Sequence, residues 1–553
     1  MHWDGSAGAR ETTPVSPLGH GPGPEGHAGG DVTAGADRPG RVHAAAILAV
    51  VAFATGAGAL VGAAPAAAIN DIIDLPARPG RVLVVDDDRQ QCPQADHSSV
   101  QRALDVARDG DRVRVCPGRY PEQLTVRTSV SLVGQVGATA SVDCLDPTVN
   151  TLGDLDPTRF AILEPDPATG AEPTTHVRIE ADGVELAGFA VQGLQDESPE
   201  QGPTTPLYDA AISVSDAHAG TWIHHDLIRL NTLGVELGGN GQQLTRLDHN
   251  CLRDNTWAVA NQRFTLTHAR IDDNTTFRTS SRALELVLPG STDVAVDHNV
   301  FVDPEAFQVI WVADSTRPRV EANEVRGSRS GIVLRDSTDA VVTANEVQAG
   351  GGGIAVTGTS SARVVGNDVT AGAAGVGIGG GNLDLEVAGN VLTGAAQSGG
   401  QVGVQTVPPG VRPASEGLVI SGNTVTGWRG APGTGILLNP GTTVGGALVA
   451  DNVVSGNAGE GLAVEARNNG LHIHRNTAND NGANGIRVAA GALSNVLTDN
   501  TALRNDTDAR DGGLLADGVT PTSNQWVRTT CVTDVPDGIC TTPTARDQRE
   551  QVR

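Results

Sequence analysis

The sequence predicts an all-β chain wound into a parallel β-helix, with three short strands in each coil and one small α-helix capping the front. Three observations carry this. One phrase recurs with drift over residues 221–502: VEANEV (Val320–Val325), VTANEV (Val342–Val347), VVGNDV (Val364–Val369) and ISGNTV (Ile420–Val425) each place an aliphatic residue three before an Asn and another two after it. The repeat is about 23 residues long, the scale of a solenoid. The segments around each Asn are short, alternate with period two and are rich in Val, Ile and Thr, with Gly and Asn as punctuation, which reads as strand and turn, not helix.

Taking the Asn as an anchor, copies fall at Asn250, Asn299, Asn323, Asn345, Asn367, Asn390, Asn423, Asn452, Asn476 and Asn500, with Asp226 and Ala269 filling the place in weaker copies. Successive spacings are 24, 19, 30, 24, 22, 22, 23, 33, 29, 24 and 24. A Gly-aliphatic-x-aliphatic phrase follows, as in GIVL (Gly331–Leu334) and GIAV (Gly353–Val356). Coils stacked at about 4.8 Å send alternate aliphatics inward to one continuous core and line up the anchor amides as a ladder. An amide that loses its partner inside such a stack costs about 1–3 kcal/mol, so the anchors read as structural.

From the front, residues 1–40 are Gly, Pro, Ala and His-rich without apolar period and read as a disordered extension. In residues 41–68, Arg41 precedes an apolar run, Ala44–Ala68, that ends in an A-x-A step (Ala66, Ala68). This is the pattern of a secretory signal, and its length also suits a retained membrane anchor. RVLVVDDD (Arg81–Asp88) is a strand running into an acidic turn. Ser98-Ser99-Val100-Gln101 is a capping box, and Val100, Ala103, Leu104 and Ala107 follow at helical spacing, which predicts a helix over 96–109 covering the open end of the stack. The β-helix itself is expected over 81–540. Residues 145–210 are Pro, Asp and Thr-rich, early coils with long loops around Gln195–Tyr208 that wall a groove. Residues 524–540 close the back, and 541–553 form a loose tail.

Six Cys follow the apolar run, and an even count in an exported chain favours disulfides. Cys92–Cys116 and Cys531–Cys540 are the local choices, leaving Cys144 with Cys251. All 38 basic residues are Arg, and the net charge of −26 excludes nucleic acid as a partner while suiting a divalent cation such as Ca²⁺. The single Met argues against a Met-rich copper site.

The passage SVQRALDVARDGDRVRVCPGRYPEQLTV (Ser99–Val126), followed by SLVG, resembles the opening of secreted right-handed parallel β-helix proteins of the pectate-lyase-like superfamily. NQWVRTTCVTDVPDGIC (Asn524–Cys540) resembles the Cys-closed end of the same bacterial group. The resemblance implies a right-handed coil and a secreted or cell-surface location. It implies no single activity, because the superfamily hosts lyases, hydrolases, esterases, epimerases and proteins without catalysis. GRYPEQ (Gly118–Gln123) resembles an early signature of pectin methylesterases, but their later phrases QDTL and DFIFG are absent, as is the polygalacturonase set NTD, DD, GHG and RIK as a set.

Counting one residue before each anchor gives His225, His249, His268 and His298 on four successive coils, with Asp248 and Asp297 in the preceding column. Imidazoles about 5 Å apart repel as cations by roughly 1 kcal/mol in water, which favours the neutral ring that serves as metal ligand or general base. These six are the candidate catalytic residues. The competing reading is that His-Asn is a tolerated spelling of the turn, and WIHHD (Trp222–Asp226), similar in composition to a pectate lyase phrase, is in this frame an ordinary anchor turn. Trp222, Trp257 and Trp311 are candidate sugar platforms. Arg317 and Arg319, with Arg326 and Arg329 beside them, are candidate carboxylate clamps. A lyase needs a base for the proton alpha to a uronate carboxylate, often with Ca²⁺ to acidify it. The expectation is an exported protein that binds an acidic extracellular polysaccharide, with cleavage by lyase or hydrolase chemistry left open. The alternative is a non-catalytic surface or adhesion scaffold. The membrane enters only through an uncleaved N-terminal segment.

Overall fold

The structure, a computed structural model, describes residues 80–135, 144, 155–164, 175–193, 210–303, 306–395, 401–408, 410, 412–513 and 523–541. The N-terminal extension, the signal or anchor segment, the loops around Gln195–Tyr208 and nearly all of the tail lie outside the described residues. Among those described, no helix is long and apolar enough to cross a membrane.

Each coil gives one short strand to each of three parallel sheets. Sheet I includes Trp222–His224, Thr245–Asp248, Thr267–Asp272, Thr292–Asp297 and Arg319–Glu321. Sheet II includes Leu227–Arg229, Cys251–Arg253, Thr275–Phe277 and Val300–Val302. Sheet III includes Leu233–Glu236, Trp257–Ala260, Arg282–Leu286 and Gln308–Ala313. The period-two pattern sets the register. Ile223 pairs with Leu247, Leu247 with Ile271, Ile271 with Val296, and Val296 with Val320, so like residues stack inward coil after coil. All five are buried in one continuous apolar core.

The ladder runs unbroken from Asp226 to Asn500 along the corner between sheets I and II. Asn323 shows the unit: its backbone N–H and its Nδ2 both donate to Asn345 Oδ1 at 3.0 Å, and Nδ2 also donates to Val296 O at 2.8 Å. The residue before each anchor is left-handed: His225, His249, Asp273, His298, Ala322 and Ala344 have φ between 53° and 57°. That backbone turns sheet I into sheet II in a single step, and Asn, Asp, His and Gly adopt it most readily.

One anchor expectation is corrected. The ladder member between Asn250 and Asn299 is Asn274, not Ala269: Asn250 N–H donates to Asn274 Oδ1 and Asn274 N–H to Asn299 Oδ1. Asn274 escapes the repeat pattern because Thr276 replaces the aliphatic residue two places on. Thr276 is buried, and its hydroxyl donates to the buried carboxyl of Asp303. The irregular spacings of 19 and 30 then become 24 and 25. A second, shorter ladder lies at the corner between sheets II and III, where Asn231 bonds Asn255, and further along Asn457 bonds Asn481 and Asn481 bonds Asn505.

The front is closed by helix Val100–Val106, shorter than the expected span, with Val100, Ala103 and Leu104 buried. Its N-cap is Ser99, and Glu122 takes the accepting role expected of Gln101, receiving the Val100 and Gln101 N–H groups and the Ser99 hydroxyl. Gln101 instead accepts from Thr125 N–H, tying the cap to the first coil. The three disulfides pair as expected, Cys92–Cys116, Cys144–Cys251 and Cys531–Cys540. Their number fits an oxidising, extracellular compartment.

Asp226 ends the ladder. It is fully buried, its Oδ1 accepts from Phe189 N–H, and its Oδ2 has no partner. Burial drives its pKa well above the usual value. A carboxyl raised on folding favours the folded state only while protonated, and that contribution is lost as pH rises above its unfolded value of 3.8. Asp226→Asn removes the titrating carboxyl and puts there the amide that the other anchors carry, and its melting temperature relative to the parent is expected to rise with pH. Asn323→Ala, which orphans buried groups, is expected to lose about 1–3 kcal/mol or more. Thermal melts across pH check both.

Candidate functional site

On the outer face of sheet I the register sorts side chains into columns. One reads Trp222, Arg246, Arg270, Ala295, Arg319, Val341, and the next His224, Asp248, Asp272, Asp297, Glu321, Thr343. The left-handed corner adds His225, His249, Asp273 and His298. Of the predicted histidines, His225, His249 and His298 therefore share a column, and Asp273 stands between the last two. His268 does not belong to it. It lies at the opposite end of strand Thr267–Asp272, one coil before Asp293, because the true anchor is Asn274.

The lower part of this face is a closed polar network. Trp222 stacks on His224 with ring centroids 3.9 Å apart, and its Nε1 donates to Asp248. His224 meets His225 through their Nδ1 atoms at 2.8 Å and Glu185 through Nε2 at 3.4 Å. The rings of His225 and His249 stack 5.0 Å apart, as the coil rise requires. Burial, with His224 and His249 adding repulsion, lowers the His225 pKa from 6.5 to about 4 and keeps it neutral. His249 goes the other way. Its Nδ1 bonds Asp248 at 2.7 Å, which raises its pKa against the opposing effect of partial burial. Burial pushes the Asp248 and Asp297 carboxyls up, but hydrogen bonds, from His249 and Trp222 to the first and from Arg270 and His298 to the second, outweigh it and leave both below the usual carboxylate range.

Arginines lock the carboxylate column diagonally. Arg246 grips Asp272 with two bonds of 3.1 and 2.7 Å, and Arg270 grips Asp297 with 3.0 and 2.6 Å. A cation entering this column would have to displace guanidinium groups. Among the described residues, the groups whose ligand atoms cluster within 4.8 Å are Asp86 with Cys92 and Cys116, which form a disulfide, and Asp86-Asp87-Asp88 in the acidic turn. His225, His249 and His298 form no such set.

The diagonal pairing fails at one place. Ala295 puts no arginine beneath Glu321, and Thr343 puts no carboxylate above Arg319; the Thr343 hydroxyl donates to Val365 O instead. Arg319 makes no ion pair with a described residue. The short Ala295 side chain leaves a hollow of about 350 Å³ beside Arg319, lined also by Arg317, Asp293 and Asp339. Arg317 is held by Asp293 through two 2.7 Å bonds. Strand Thr292–Asp297, whose Ala295 floors the hollow, ends at the Asp297–His298 pair, Nδ1 to Oδ2 3.1 Å.

The other expected binders lie elsewhere. Trp257 and Trp311 are on sheet III. Trp257 is buried against Ala210, Leu233 and Ala260, and Trp311 lies 3.8 Å beneath the Arg282 guanidinium, so neither joins the histidine face. Arg326 sits on sheet II bonded to Glu324, so the four arginines form no single patch. The residues missed in sequence, Arg246, Arg270 and Asp272, become readable once Asn274 is taken as the anchor, because Asp272 then aligns with Asp248.

The chain belongs to the right-handed β-helix region family, whose model matches residues 233–392 and 308–526, together more than half of the sequence. No curated protein matches it. Among solved structures it is similar to XylC in complex with xylose (10% identity over 57% of this chain and 76% of that one, TM-score 0.34). It is similar also to the family 28 exopolygalacturonase of Yersinia enterocolitica (10% identity, 82% and 78%, TM-score 0.31). A third is PfbA, a surface adhesin of Streptococcus pneumoniae (11% identity, 66% and 86%, TM-score 0.30). Likenesses at this level carry nothing about this chain's chemistry.

His225 and the buried His176, whose pKa burial alone lowers from 6.5 to about 4, must both stay neutral in the fold. A histidine depressed on folding stabilises fully above its unfolded value and loses that contribution as pH falls toward the folded one. For His176 the shift corresponds to about 3 kcal/mol. Thermal stability is expected to fall between about pH 6.5 and 4, and His176→Gln is expected to flatten the fall when melts are compared across that window.

Proposed function

We propose that this is an exported β-helix protein that binds an acidic extracellular polysaccharide on the outer face of sheet I. The observation that carries the reading is Arg319: a guanidinium with no partner among the described residues, in an open hollow, on a face where Arg246 and Arg270 are committed to carboxylates. A uronate carboxylate suits the two parallel N–H groups of arginine. The half-buried Trp222 further down the face adds an aromatic edge. If the bound sugar is also cleaved, His298, oriented by Asp297, is the base best placed to take a proton alpha to that carboxylate, in a lyase-type step.

A second reading, binding without catalysis as in a surface scaffold, is favoured by one specific feature. Asp248, Asp272 and Asp297 are each held by Arg, Trp or His, so none is idle as a metal ligand or base. Titration of a polyuronate panel into the full chain, with and without Ca²⁺, checks the proposal. Uronates are expected to bind and neutral glucans not, and Arg319→Ala is expected to weaken uronate binding about tenfold or more. Equal affinity of the variant would overturn the proposal. Release of unsaturated uronides, abolished by His298→Ala, would establish cleavage, and binding without release would establish the scaffold.

A further inference from the structure

A second arginine-lined hollow lies on a different face. On sheet III the register stacks Thr125, Arg178, Ser213 and Glu236 outward on successive coils. Arg178 stands between two short hydroxyl residues, and among the described residues its guanidinium borders a hollow. It is exposed and makes no ion pair or side-chain hydrogen bond with a described residue. Just beyond the strand ends, Arg127 contacts Glu180 at 3.4 Å while two-thirds of its side chain stays exposed, the weak geometry of a surface pair. The turn after strand Trp257–Ala260 supplies the opposite wall. There Arg263 bonds Glu236, Nε to Oε1 2.7 Å, and lies 5.4 Å over the half-buried Phe264 ring. The space enclosed is about 660 Å³, within the range of about 300–1,000 Å³ that small ligands occupy.

Three arginines against one glutamate face this hollow, on a chain of net charge −26. Local cations count here because charges elsewhere on the surface are screened beyond about 8 Å at physiological salt. The small residues matter as much as the charges. Ser213, whose hydroxyl donates to Glu236, leaves room where a long side chain would fill the wall, and Ser215 brings a hydroxyl to it.

We propose that this hollow is an oxyanion-binding site for a saccharide bearing a sulfate or carboxylate group. Arg178 and Arg127 hold the oxyanion through paired N–H donors, Ser215 supplies a hydroxyl, and Phe264 offers the sugar an apolar wall. The site shares no residue with the Arg319 hollow and goes beyond the function proposed from it.

The test is calorimetric titration of the full chain with three probes of equal length: a sulfated oligosaccharide, an oligouronate and a neutral oligosaccharide. Four proteins are compared: parent, Arg178→Ala, Phe264→Ala and Arg319→Ala. The sulfated or the uronate probe is expected to show a binding component that survives Arg319→Ala, and which one shows it names the oxyanion. Arg178→Ala is expected to lower that affinity about tenfold or more, Phe264→Ala to lower it less, and Arg319→Ala to leave one component of the titration unchanged. Arg178 is exposed and unpaired, so its variant is expected to melt with the parent. No binding of either charged probe, or full affinity in Arg178→Ala, overturns the proposal. Loss of all binding in Arg319→Ala also overturns it, because the only site would then be on sheet I.

Discussion

Buried primary amides hold this molecule in register. Each anchor Asn from Asn274 on accepts two N–H groups from its neighbour in the ladder and returns its own Nδ2 to a backbone carbonyl, as Asn323 and Asn345 show. None of these groups meets water, so a coil that slipped by one residue would leave several donors and acceptors orphaned at once, at about 1–3 kcal/mol each. The aliphatic stack supplies most of the driving force, yet it is tolerant: Ile, Leu and Val succeed one another along the same inward column. The amides are specific where the core is permissive.

The corner they stabilise also explains the histidines. A left-handed residue must precede each anchor, and His, Asp, Ala, Gly and Arg all occur there with similar φ. Recurrence of His in that column is therefore a consequence of backbone geometry and outward exposure, and it carries no chemistry by itself. What sets His249 and His298 apart is an imidazole bonded to the carboxylate beside it, Asp248 or Asp297, which fixes one ring nitrogen and turns the other to solvent.

The fold was legible because it is periodic. Period-two alternation, the anchor and the Cys positions are local signals that survive without alignment, and together they led to the coil, the cap and the disulfides. The site was legible only in part, for two physical reasons. Thr276 in place of an aliphatic residue hid Asn274, and one missed anchor displaced His268 into the wrong column while concealing Asp272. Sequence also gives no face. Trp257 and Trp311 read as companions of Trp222, but each coil turns through three sheets, and a few residues along the chain exchange one outer surface for another.

The same rotation governs how charge is used. An excess of carboxylates this large would repel a polyanion if it acted as a smooth field. Here many outward arginines are spent on carboxylates one coil away, as with Arg317 on Asp293, Arg475 on Asp451 and Arg504 on Asp480, which removes both members from the exposed balance. Exposed pairs of this kind add little stability. Their effect is to set apart a guanidinium that faces a hollow without such a partner among the described residues. Arg319 and Arg178 owe their freedom to the same device, a small or neutral residue on an adjacent coil where the pattern elsewhere puts a partner, Thr343 for one and Ser213 for the other. On a stacked solenoid, a binding position can thus be made by deleting one charge from a column, without moving the backbone.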